Sequence, residues 1–119
     1  MEEYYLETDL RGNFVFFNDS LCRMLGYTRE ELQNINYRKI IPPEQHQYIF
    51  ALSNEVYRTG ETKKIIHHTV LTKDGSIRHI ERSIVLMRSA TGDPIGFSGI
   101  GRDVTQRLEA EWIIQKNER

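Results

Sequence analysis

FVFFNDSLCRMLGYTREEL, residues Phe14–Leu32, changes backbone character three times within one line, and its reading decides the fold. It opens as an apolar run of strand composition, turns polar at Asn18 and Asp19, and then spaces Leu21, Met24 and Leu25 along one side of a short helix. Asn18, Asp19 or Ser20 can cap the orphan amides at the start of that helix. Gly26 stands where a left-handed residue is wanted after the last turn, with Tyr27 placed for the hydrophobic contact that follows. Thr28 and Glu31 have capping-box spacing for a second, very short helix ending near Leu32. The stretch predicts a strand, a helix, a turn and a helix in one compact ribbon.

Upstream, YYLETDLRGNFVFFN reads as two short strands around a turn supplied by Asp9, Gly12 and Asn13. Downstream, Pro42 and Pro43 break the chain, and Pro43 suits the first turn of a helix running from about Glu44 to Thr59 and ended by Gly60. That helix carries Ile49, Leu52 and Val56 on one stripe, with Ser53 and Asn54 on its rim. From Thr62 the period changes to two, giving strands near 62–71, 77–88 and 95–103. Asp74-Gly75 joins the first pair as a hairpin, and Thr91-Gly92-Asp93-Pro94 separates the second. The last segment, DVTQRLEAEWIIQKNER, has Asp103 and Gln106 in capping-box spacing and no breaker to Arg119. Five strands and several short helices predict an α+β fold, a five-stranded, mostly antiparallel sheet with helices on one face.

At 119 residues the chain fits one domain with a core of its own. Sixteen basic against seventeen acidic side chains leave a formal net charge of -1 without a long single-sign run. That lacks the electrostatic footprint of a nucleic-acid binder, so no nucleic acid and no direct membrane contact are expected. The lone cysteine, Cys22, excludes an internal disulfide framework and fits a reducing, cytoplasmic compartment. MEEYYLETD has neither the basic flank nor the apolar core of a signal peptide, and no run reaches transmembrane length.

Three segments in order, ETDLRGNFVFFNDSLCRMLGYTREEL (7–32), KDGSIRHIERS (73–83) and GFSGIGRDVTQR (96–107), together resemble a PAS domain. The resemblance covers nearly the whole chain and implies a helical lid over the sheet, an internal cavity and a sensory or dimerising role, most often inside a bacterial histidine kinase of a two-component system, a diguanylate cyclase or a transcription regulator. It divides the chain into a PAS domain, 1–104, and the start of a linker or output helix, 105–119. The resemblance implies a homodimer and an output domain further along the parent chain.

PAS domains carry haem, flavin, small metabolites or nothing. Flavin photosensors of the family use a cysteine within Asn-Cys-Arg-Phe-Leu-Gln, and the comparable INYRKIIPPEQ has none; Cys22 lies on an earlier helix as a small packed hydrophobe. Haem-binding members place a histidine on the long helix nearer the position of Ile49, whereas His46 falls in its first turn. His67 and His68 point to opposite faces of a strand and cannot chelate one ion together. No metal, haem or flavin is therefore expected, and a noncovalent metabolite is the possible occupant. The glycines of GFSGIGRD lack the Lys-Ser/Thr of a phosphate loop, and nothing is arranged for catalysis, so the domain is read as no enzyme by itself.

Alternation in the last strand puts Phe97, Gly99 and Gly101 on one face, leaving two positions without a side chain. In the family that face lines the cavity. The expected ligand-pocket residues are Phe14, Phe16, Ile49, Leu52, Val56, Phe97 and Gly99. Asp103, Thr105 and Gln106 form the expected signal junction, with Leu108 and Trp112 the apolar edge of a dimerising output helix. Two functional readings stand: a sensor with a small ligand in an apolar pocket, and a ligand-free module for protein interaction with a filled core.

Overall fold

The computed structural model describes residues 2–117 of the chain, and side chains as far as Ile113. Strands β1 (Glu3–Asp9) and β2 (Phe14–Phe17) lead into helices α1 (Asp19–Leu25) and α2 (Arg29–Leu32). Two single 3-10 turns, Tyr37–Lys39 and Pro43–Gln45, precede the long helix α3 (His46–Thr59). Strands β3 (Lys63–Leu71), β4 (Ile77–Arg88) and β5 (Pro94–Asp103) complete the sheet before helix α4 (Thr105–Asn117). The sheet is antiparallel throughout, in the order β2-β1-β5-β4-β3, so the N-terminal hairpin docks onto the last strand.

Local chemistry sets the boundaries. The Asn18 side chain accepts from the Leu21 amide to start α1, and Gly26 ends it at φ 79°, where a residue without Cβ is favoured. Both halves of the Thr28–Glu31 capping box are formed, at 2.9 and 3.2 Å. Pro43 opens the 3-10 turn that runs into α3, and Gly60 closes that helix with its amide on Val56.

The core lies between the inner face of the sheet and the helices. Leu21, Leu25 and Leu32 of α1 and α2 meet Ile80 and Ile84 of β4, all at most 1% exposed, with Ile49 and Val56 of α3 beside them. Each such side chain contributes about 1.5–3 kcal/mol by leaving water. Among the described residues no helix is long and apolar enough to cross a membrane.

One strand reading is corrected. Phe14 and Phe16, expected together on the pocket wall, fall on different faces: Phe14 is 3% and Phe16 is 53% exposed. Phe17 pairs with Leu6, Phe16 with Glu7 and Phe14 with Thr8, so Val15 is an extra residue in β2. Such a bulge exchanges the faces of everything beyond it.

Candidate functional site

Between α3 and the inner face of the sheet lies a cavity of about 720 Å³, within the range of about 300–1,000 Å³ typical of small-molecule sites. Leu6 and Thr8 of β1, Arg82 and Ile84 of β4, and Phe97 and Gly99 of β5 form its floor. The α3 wall consists of Ile49, Phe50, Ser53, Asn54 and Tyr57. Arg11, Tyr37 and Arg38 stand at the rim, where Arg38 lies over the Tyr37 ring. The β1–β2 turn fits under that ring because residue 12 is glycine, at φ 91°; a Cβ there would overlap Tyr37.

Of the residues expected to wall a pocket, Ile49, Phe97 and Gly99 border this cavity, and Phe14, Phe16, Leu52 and Val56 do not. Phe14 packs on Phe17 in the closed core, 6.3 Å between ring centroids. Val56 is fully buried there and Leu52 packs against the same core. Phe16 stands edge-on to Tyr5 on the outer face of the sheet. The open side of α3 is turned by about one residue from its most apolar stripe, so the wall is amphipathic rather than apolar. Nor do the glycines of β5 leave room, since a Cβ on Gly99 would meet the Ser83 carbonyl oxygen at 2.5 Å and one on Gly101 the Tyr4 ring at 2.5 Å. They let a strand and a ring approach closely.

Sequence reasoning missed Arg82. Its Nε donates to His68 Nε2 at 2.8 Å, while His68 Nδ1 donates to the Thr69 carbonyl at 3.0 Å, which fixes the tautomer of the imidazole. Burial, aided by the Arg82 charge, pushes His68 down to about 3, so it stays a neutral acceptor. Desolvation also lowers Arg82 from the ordinary arginine value, and besides His68 the ionisable groups near it are the phenols of Tyr4, Tyr37 and Tyr48. Burial pushes Tyr4 up to about 12, so that phenol stays neutral too. The signal was present in HIERSI: alternation sets Arg82 on the face of Ile80 and Ile84, both 1% exposed.

Of the other histidines, His46 is tied into the backbone. His46 Nε2 lies 2.7 Å from the Ile41 carbonyl and 3.0 Å from that of Arg38, bracing the approach to α3. Among the described residues no three His, Cys, Asp or Glu side chains stand together as a metal site.

The end of β5 forms a second constellation. Asp103 accepts from the Thr105 amide at 2.9 Å and from Arg78 Nε at 2.7 Å. Burial opposes its ionisation, yet these bonds hold its carboxyl below the ordinary aspartate value. Thr105, 3% exposed, accepts the His79 amide at 2.7 Å through its hydroxyl. Arg107 reaches Glu81 at 3.3 Å, and Arg102 holds the same carboxylate. The expected Asp103–Gln106 box is replaced by this arrangement: α4 begins at Thr105, and Asp103 closes a turn two residues long. Gln106 is exposed, Leu108 half-buried and Trp112 64% exposed. Arg78 and Glu81, given no role in the sequence reading, and His79, read there only as a strand histidine, are the β4 side of the junction.

The chain matches the PAS fold family over residues 3–104. It is 31% identical over 97 residues to the methyl sulfide methyltransferase-associated sensor of Methanosarcina acetivorans, covering 80% of this chain and 10% of that protein. It is 21% identical over 109 residues to the sensor histidine kinase TmoS of Ectopseudomonas mendocina, covering 92% and 11%. The chain thus spans about a tenth of the length of these relatives. A PAS domain from Colwellia psychrerythraea superposes with a TM-score of 0.80 at 23% identity, over 87% of both chains. A light-oxygen-voltage domain studied with a flavin analogue gives 0.74 at 19% identity, over 99% of this chain and 90% of that one. The PAS-B domain of Drosophila melanogaster Cycle, with bound glycerol, gives 0.72 at 13%, over 84% and 96%. Sheet order, helical lid and the match across residues 3–104 agree, and the chain belongs to the PAS fold family.

Proposed function

We propose that the domain is the sensory part of a longer signalling protein: it takes a small molecule into the cavity beneath α3 and passes its state to an output domain through α4. The observation that carries this is the double use of β4. Arg82 faces the cavity, while its neighbour Glu81 faces the other way and holds Arg107 of α4. Four residues earlier than Arg82, Arg78 holds Asp103. A shift of the strand at the cavity therefore bears directly on the contacts that seat α4, the kind of contiguous element through which two sites couple. The printed names of the two relatives, a sensor and a sensor histidine kinase, favour the same role.

Native mass spectrometry of gently purified protein tests the first half, with a noncovalent added mass as the expected result. Hydrogen exchange over 103–112 with and without that molecule tests the second. Glu81→Gln should keep the added mass and abolish the exchange response. An unaltered response in E81Q would remove the proposed route, and protein carrying no added mass and no metabolite-induced thermal shift would remove the ligand.

A second role, as a dimerising module, is favoured by the outer face of the sheet. Phe16 and Ile100 are 53% and 51% exposed there, and Ile113 of α4 is 55% exposed. Sedimentation of the wild type and of Phe16→Ser separates this role from sensing: a dimer lost in the variant supports it, and a monomeric wild type removes it.

A further inference from the structure

The cavity lining is one-sided in charge. Arg11, Arg38 and Arg82 border it and, among the described residues, no aspartate or glutamate does, although the chain as a whole carries a formal charge of -1. Of the described arginines outside the cavity, five are paired, Arg23 with Glu2, Arg29 with Asp19, Arg78 with Asp103, and both Arg102 and Arg107 with Glu81, while Arg58 and Arg88, both at the exposed surface, are not. The three cavity arginines hold no carboxylate among the described residues.

Arg82 is the innermost of them and is oriented. Its Nε is committed to His68 Nε2 at 2.8 Å, and His68 is itself fixed through Nδ1 to Thr69. One terminal nitrogen lies a long 3.4 Å from the Ser83 carbonyl, which leaves the outer edge of the guanidinium short of acceptors. Around it are phenols and apolar side chains: Leu6, Ile49, Ile84 and Phe97 line the same space. A partly desolvated guanidinium without a counter-charge is unfavourable in the empty fold. An anionic oxygen pair in front of it would remove that cost and match the planar donor fork.

We infer that the occupant of this cavity is a small amphipathic carboxylic acid, its carboxylate paired with Arg82 and its apolar body laid along Ile49, Ile84 and Phe97. The inference rests on the reading of the cavity as a ligand site and specifies the ligand's chemistry. The exposed arginines, Arg11 and Arg38, attract the anion at the rim, and Arg82 fixes its head group.

The test uses the whole 119-residue chain and two acids, decanoate and phenylbutyrate, each beside its primary amide, titrated by calorimetry and by amide-resonance shifts. Each acid should bind with its largest shifts at residues 80–84 and 97–99, about ten- to a hundredfold tighter than its amide, the effect of one charge-assisted pair. Arg82→Gln should erase that preference and Arg82→Lys keep part of it, whereas Arg38→Gln should change it less than about threefold, as rim charges do. The wild-type acid-to-amide ratio stands even if the Arg82 variants fail to fold. Amides that bind as well as acids would overturn the carboxylate assignment while leaving the cavity a ligand site. Acids and amides that all fail to bind would also overturn it. Native mass spectrometry then separates the two claims: a neutral bound molecule keeps the cavity reading, and empty protein removes that reading as well.

Discussion

Replacing Asp103 by alanine removes two bonds at once: the acceptor for the Thr105 amide at 2.9 Å and the partner of Arg78 at 2.7 Å. A hydrogen bond of this kind contributes about 1 kcal/mol net. The ion pair, whose side chains remain about a quarter to a third exposed, adds less than about 1 kcal/mol because water screens it. Asp103→Ala should therefore lower stability by about 1–2 kcal/mol, which in a domain of this size is roughly 4–10 °C in Tm. The loss should be local first, appearing as faster hydrogen exchange over 103–112. Asp103→Asn keeps an acceptor for Thr105 without the charge and should recover about half. The pH dependence has a fixed direction. The folded carboxyl titrates below its ordinary value of 3.8, so the unfolded chain takes up the proton first as pH falls. The stabilisation is complete well above pH 3.8 and disappears as pH drops through the lower folded value, so wild type and D103A should converge in acid. Equal Tm and equal exchange protection in D103A at neutral pH would refute the reasoning, and so would a gap that widens below pH 3.8.

Gly101→Ala places a Cβ 2.5 Å from the Tyr4 ring and should destabilise by about 1–3 kcal/mol; a double-mutant cycle with Tyr4→Leu should recover most of this, and additive losses would deny the contact. Leu25→Ala, at a fully buried position, should lower the urea-unfolding free energy by about 2–5 kcal/mol, and a loss below about 1 kcal/mol would place Leu25 outside the core. Because burial first and the Arg82 charge second push His68 from 6.5 down to about 3, the fold excludes a proton that the unfolded chain accepts, and His68 should remove about 1.4 kcal/mol of stability for each pH unit below 6.5. Its imidazole nitrogen resonances should stay those of the neutral Nδ1–H tautomer from pH 8 to pH 5, and a titration near 6.5 would overturn the Arg82–His68 geometry.

The elements legible in the sequence are those whose causes are local. Strands read at 77–88 and 95–103 fall at Ile77–Arg88 and Pro94–Asp103, because a period of two is written in the strand itself. The Thr28–Glu31 box forms as spaced, since both partners belong to one turn. Asp103 and Gln106 have identical spacing, yet no box forms. What differs is a residue far away in the chain: the His79 amide takes the Thr105 hydroxyl, and Arg78 takes the Asp103 carboxylate, drawing the junction toward β4. The Val15 bulge is non-local in the same sense, set by where β2 must meet both Leu6 and Thr8 of β1.

The lining of the cavity departs from the expected pocket residues for a reason of chemistry rather than distance. Seeking a pocket among the most apolar residues leads to Leu52 and Val56, and apolarity is what sends those side chains into the closed core. A surface that stays open toward water is lined by side chains that tolerate both states, which is why Ser53, Asn54 and Tyr57 border the cavity on the same helix. Arg82 reverses the argument. Alternation fixes it between Ile80 and Ile84 on the inner face, where a strand built only for packing would be more stable with an apolar side chain. A guanidinium held there by a histidine that cannot be protonated near neutral pH, and facing no carboxylate of its own chain among the described residues, is unfavourable for folding and suited to an anion. The position that local stability explains least is therefore the one on which the proposed ligand chemistry rests.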